Sequence, residues 1–112
     1  MAISPTQRTL KRMRTEGVYP LVEVVEHWSP FGRGGQGIRK DLFTIIDILA
    51  IDEVGTTVAV QVTSYSNMRA RINKIKDSEA ISHLRKAGWV IIVEGWHKNS
   101  KNRWTSKIVD VS

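Results

Sequence analysis

Residues 39–64, RKDLFTIIDILAIDEVGTTVAVQVTS, decide the fold. They read as two neighbouring β-strands joined by a turn at Asp52-Glu53-Val54-Gly55. The first, residues 42–51, is apolar on both faces, as expected of a central strand, and Asp47 interrupts it. In the second, residues 57–63, Gln61 and Thr63 alternate with Val58, Val60 and Val62. Side chains two apart in a strand share a face, so Gln61 and Thr63 point the same way, and Asp41, Phe43, Ile45 and Asp47 form one row. An ionised carboxylate is almost never buried without a partner. What satisfies Asp47 therefore bears directly on function.

Upstream, Ser4-Pro5-Thr6-Gln7 is a helix start, with Ser4 as cap, Pro5 in the first turn and Gln7 completing a capping box. The helix ends at Gly17 and buries Leu10 and Met13. Residues 21–28 form the first strand, with Glu23 set among valines and Glu26 on the opposite face. The Gly- and Pro-rich segment 29–37 is a loop. Gly32, Gly34 and Gly37 match G-x-G-x-x-G, but a strand follows where the dinucleotide fingerprint needs a helix, so no nucleotide cofactor is expected.

Downstream, residues 68–76 have helical spacing, and a second helical piece, 79–87, starts after Asp77-Ser78 and ends at Gly88. The continuous apolar run 89–93 is a buried strand, and strand, helix and buried strand imply a parallel crossover. A basic, aromatic hairpin (95–104) and a last strand (105–111) close the chain. The expected architecture is one α+β domain over residues 1–112. It has a central mixed β-sheet with flanking helices, in the order α-β-β-β-α-β plus a C-terminal strand.

With 112 residues and 41% apolar content the chain suits one modest core. It contains no cysteine, which excludes disulfides and thiolate metal sites and fits a cytoplasmic, unexported, non-membrane protein. A formal charge of +6 leans toward an anionic partner, and nucleic acid is the better expectation over a merely solvated basic surface. His27, His83 and His97 have no metal-ligand spacing. Trp89 belongs to the core, while Trp96 and Trp104 flank the basic hairpin and either stack on bases in opened DNA or pair across the hairpin.

This order of elements, with IID-ILAI placing Asp47 on the second strand and VAVQVTS placing Gln61 and Thr63 on the third, resembles the PD-(D/E)XK nuclease superfamily. The resemblance is closest to its small Holliday-junction-resolvase-like and phage-type members. It implies a restriction-endonuclease-like core in which Asp47 binds a divalent metal, Mg²⁺ or Mn²⁺, and in which Gln61 and Thr63 take the positions of the family's Glu-x-Lys. The chemistry agrees: phosphodiester cleavage uses a hard cation held by oxygen ligands. A second charged ligand comes from Glu23 or Asp41. Asp41 stands about 20 Å from Asp47 if one strand carries both, so Glu23 is the better candidate unless the strand begins after Asp41. Thr63 cannot supply the family lysine's charge, which leaves Lys74 or Arg71 to do so. Arg39, Lys40, Arg71, Lys74, Lys98, Lys101 and Arg103 are the candidate DNA contacts. The expected function is a Mg²⁺-dependent DNA endonuclease acting on branched or structured DNA, with a homodimer in keeping with the resemblance. The alternatives are a DNA-binding protein of the same fold that has lost cleavage, because Gln61 and Thr63 replace charged residues, and a basic scaffold subunit.

Overall fold

Ser4 Oγ accepts the Gln7 N–H at 3.2 Å and opens helix α1 (Pro5–Glu16), which Gly17 closes at φ +73°. The cap satisfies an amide with no intrahelical partner, and glycine takes the left-handed position without a Cβ penalty. The computed structural model describes residues 3–29 and 38–112. The glycine-rich segment 32–37 lies outside the described residues, as do the side chains of His27, Trp28 and Arg39.

After α1 come β1 (Leu21–Val24), β2 (His27–Ser29), β3 (Ile38–Lys40), β4 (Ile48–Ile51) and β5 (Thr57–Ser64). A 3₁₀ turn (Tyr65–Asn67) then leads into α2 (Met68–Lys76), α3 (Ala80–Lys86), β6 (Val90–Lys98) and β7 (Trp104–Asp110). Among the described residues the fold is α+β, with three α-helices and a five-stranded mixed sheet in the order β1-β4-β5-β6-β7. β5 and β6 are parallel and the other neighbours antiparallel. The crossover expected from the apolar run before Glu94 is thus present. No described helix is long and apolar enough to cross a membrane.

Alternation along β5 divides the molecule into two cores. Val58, Val60 and Val62 face α1 and pack with Leu10, Met13, Ile48 and Ile92. Ala59 faces the other way, with Ile75 of α2, Ile81 and Leu84 of α3, and Ile91 and Val93 of β6. Gln61 and Thr63 share the Ala59 face. At Gly95 a Cβ would collide with the Met68 side chain, so the missing side chain lets α2 settle onto β6.

Two expected strands are shorter than their apolar runs. The first does not continue to residue 28: its ladder with β4 ends at Val24, and β2 pairs with β3 in a separate two-stranded sheet. The second does not run from 42 to 51, because β4 starts only at Ile48. Residues 41–47 fold back on themselves, with Thr44 N–H donating to Asp41 O at 2.9 Å and Ile46 N–H to Leu42 O at 3.0 Å. Phe43 and Thr44 both take positive φ, +53° and +64°, which reverses the chain. Ile45 and Ile46, consecutive residues, both enter the α2–α3 core, an outcome that a flat strand's alternation forbids. The row of Asp41, Phe43, Ile45 and Asp47 on one strand face therefore does not exist. At the other end β6 extends to Lys98, so the last hairpin is narrower than 95–104 and turns at residues 99–103.

Candidate metal centre

Asp47 precedes β4: its N–H donates to Val60 O, the partner of Ile48, at 2.9 Å, and its carbonyl accepts the Val25 N–H at 2.8 Å. The ladder with β5 ends at Ile48–Val60, and Asp47 meets Gln61 through its side chain. The carboxylate is 4% exposed, and Oδ2 accepts both the Gln61 side-chain Nε2–H at 2.6 Å and the Val62 N–H at 2.7 Å. The first of these bonds orients the Gln61 amide. Its nitrogen is committed to Asp47, and its Oε1, on a side chain 2% exposed, has no hydrogen-bond partner among the described residues. A buried carbonyl oxygen left unmatched costs about 1–3 kcal/mol, so this atom calls for a ligand.

The reversal at Phe43-Thr44 returns Asp41 to Asp47, and Glu26, just past the end of β1, joins them. One ligand oxygen from each of these three carboxyls lies within 4.8 Å of the others. They share a cleft of about 250 Å³ with Gln61, Thr63 and Arg71, bounded by Ser4, Pro5 and Thr6 at the start of α1. Burial pushes the Asp47 carboxyl up to about 7; the Val62 N–H opposes the rise, and a hydrogen bond and repulsion from Asp41, then repulsion from Glu26, add to it. Three gathered carboxyls form an oxygen donor cluster that could hold a metal ion, and Gln61 lines the same cleft. The donor set and the orphaned Gln61 oxygen together fit a divalent ion.

The expected residues separate cleanly on the structure. Asp47, Gln61, Thr63 and Arg71 meet at the cleft. Glu23 does not: it is exposed on β1, paired in register with Leu49, two residues farther along the ladder than the Asp47 position. Glu26 takes the place assigned to it, because the strand ends at Val24 and the face alternation that sent Glu26 away no longer applies. Asp41 enters on the condition set for it, that the strand begins after it. Lys74 lines a different cleft with Phe43, Ser78 and His83. Lys98, Lys101 and Arg103 are exposed on the β6–β7 hairpin, and Lys40 is exposed on β3. Trp96 and Trp104 are not register partners; they face Ser106 and Lys98 respectively.

Sequence reasoning also missed Glu94, fully buried on the α1 side of β6. Arg12 grips it with two bonds, Nε to Oε2 at 2.8 Å and Nη2 to Oε1 at 2.9 Å, and the Ser106 hydroxyl donates to Oε2 at 2.7 Å. The signal was the one that marked Asp47: a carboxylate inside an apolar run. Comparison with family models, curated proteins and solved structures finds no match to the chain.

Proposed function

We propose that the chain is a metal-dependent DNA endonuclease. Asp47, Asp41 and Glu26 hold the ion, and Gln61 Oε1 is its neutral ligand. The observation that carries the reading is the orphaned Gln61 oxygen beside three converging carboxyls. The chemistry such an ion brings is polarisation of a phosphoryl oxygen and acidification of a water. The chain's own groups supply the rest. Arg71, on the same cleft, is the cation placed to take a phosphate's charge, the role expected of Lys74 or Arg71. The N-terminal end of α1 borders the cleft and adds a positive dipole end toward an anion. Thr63 offers a hydroxyl for positioning. The net charge of +6 supports a polyanionic substrate.

Element order supports a restriction-endonuclease-like core and the PD-(D/E)XK resemblance. In that reading β4 and β5 carry the motif, Asp41 and Glu26 add negative charge where Gln61 is neutral, and Arg71 replaces a lysine absent at Thr63. A second reading, a DNA-binding protein of this fold without cleavage, rests on that same neutral pair, Gln61 and Thr63.

The test is nicking of supercoiled plasmid and cleavage of branched DNA with Mg²⁺, with Mn²⁺ and with EDTA, for wild type and Asp47→Ala. Metal-dependent nicking lost in the variant is the expected result. Salt-sensitive binding without cleavage in either protein favours the second reading. Failure to bind DNA at low salt rejects both.

A further inference from the structure

Trp104 is the exposed tryptophan among those whose side chains are described. Trp89 is partly buried against the α2–α3 core, and Trp96 packs on the α1 side with its indole N–H donating to Thr9 Oγ1 at 2.8 Å. Trp104, first in β7, stays 44% exposed. Its ring is flanked by cations, with the Arg8 guanidinium carbon 4.2 Å and the Lys98 Nζ 5.5 Å from the ring centroid. The adjacent turn is locked, since Asn99 Oδ1 accepts the N–H groups of Lys101 and Arg103 at 2.9 and 3.0 Å. Those two cations are therefore presented from a fixed frame. Between α1 and the hairpin lies a cleft of about 390 Å³, walled by Trp96 and Trp104 and by Arg8 and Lys11.

This cleft and the acidic one border consecutive residues at the start of α1. Ile3 borders the first, and Ser4 borders the second. Arg8 follows Ser4 by one helical turn, about 6 Å along the axis. A nucleic-acid strand passing over the end of the helix thus meets cations on one side and the carboxyl cluster on the other. Cations alone would serve a duplex. A half-exposed indole that such cations overlie serves a base free of its own stack, once the flexible side chains swing from the ring to the phosphates, since aromatic platforms take unpaired bases and basic grooves take their phosphates.

We propose that Trp104, with Arg8 and Lys98, is a platform for an unpaired base of a strand that runs on over the start of α1 to the Asp41–Asp47 cluster, several nucleotides away. The substrate class is nucleic acid with a single-stranded segment beside the cleavage point. The inference rests on the nuclease reading for the destination of the strand, whereas the platform itself is independent of the metal.

The experiment is fluorescence-anisotropy binding in EDTA, with a labelled oligothymidylate and a blunt-ended duplex as probes. Wild type, Trp104→Ala and Trp104→Phe are compared, and metal-dependent nicking is assayed in parallel. Trp104→Ala should weaken oligothymidylate binding about tenfold or more while duplex binding moves little, and Trp104→Phe should recover most of the loss. Equal losses on both probes, no loss on either, or no binding by wild type overturns the platform. So does a Trp104→Ala protein whose sedimentation shows loss of a dimer that wild type forms, since the indole would then serve a second copy of the chain. Nicking that persists and still depends on Asp47 while the platform fails leaves the nuclease reading standing. Selective oligothymidylate binding without nicking does the reverse.

Discussion

The sheet buries two carboxylates, one toward each face, and treats them in opposite ways. Glu94, toward α1, receives a two-pronged guanidinium and a hydroxyl and is matched within the protein. Asp47, beside Gln61, receives two N–H donors on one oxygen and then two more carboxyls as neighbours. The first arrangement is a strut fastening α1 to β6 and β7. The second gathers three carboxyls into one cluster and leaves the Gln61 amide oxygen without a hydrogen-bond partner among the described residues. Mutating the strut should cost stability alone, whereas mutating the cluster should trade stability against metal binding.

The largest expected effect is on the strut. Glu94→Ala leaves Arg12 without its buried partner and should destabilise by about 3–5 kcal/mol, read from the denaturant midpoint. Its metal affinity, measured at a temperature where it remains folded, should be unchanged. A drop in metal affinity would erase the distinction between the two carboxylates.

Next comes Asp47→Asn, with the opposite sign. The folded-state carboxyl titrates near 7 against an ordinary 3.8, so the native state binds the extra proton between those values. The stabilisation linked to that proton is complete below about pH 4 and is lost as pH rises through 7, at a slope of about 1.4 kcal/mol per pH unit in between. Asp47→Asn should abolish the slope, stabilise the metal-free protein by roughly 1–2 kcal/mol at pH 8, and remove the rise in melting temperature that Mn²⁺ gives wild type. Metal affinity of the wild type should climb with pH through the same window, because the ion displaces that proton. A wild-type stability that rises from pH 5 to 8 in EDTA would contradict the account.

Smaller, and confined to the turn that assembles the cluster, is Thr44→Gly. A β-branched residue at φ +64° is strained, and glycine adopts that conformation without a Cβ penalty, though it adds freedom to the unfolded chain. The balance should be about 0.5–1 kcal/mol of added stability with metal affinity retained. Thr44→Pro, whose ring cannot reach positive φ, should destabilise and weaken metal binding together.

That turn also marks where the sequence stopped being legible. The meeting of Asp47 and Gln61, which the family resemblance implied, is present, as are the buried Leu10 and Met13, the break between α2 and α3, and the parallel crossover. The turn was hidden because Leu42, Phe43, Ile45 and Ile46 keep the apolar pattern of a strand, and no Gly, Asn or Asp stands where φ turns positive. Tertiary burial of Ile45 and Ile46 overrides local preference there, and it is what carries Asp41 to the site. Glu94 was hidden differently: its partner Arg12 lies 82 residues away, a distance that no local pattern spans.

The finest discrimination sets Glu23 against Glu26. Both belong to the segment after Pro20, both are acidic, and simple strand parity favours Glu23. The ladder instead ends at Val24, leaving Glu23 exposed beside Leu49 and turning Glu26 toward Asp41 and Asp47. Glu23→Gln should change stability by less than about 0.5 kcal/mol and leave Mn²⁺ affinity as it was, as for an isolated surface substitution. Glu26→Gln removes one charge from a site whose attraction for a cation is chiefly Coulombic, and should weaken Mn²⁺ by about tenfold or more in calorimetric titration. It should also lower the Asp47 titration point, since one source of repulsion is gone. Were Glu23→Gln the variant that lost the metal, the strand would have to run on past Val24, and the assignment of Glu26 to the site would fall.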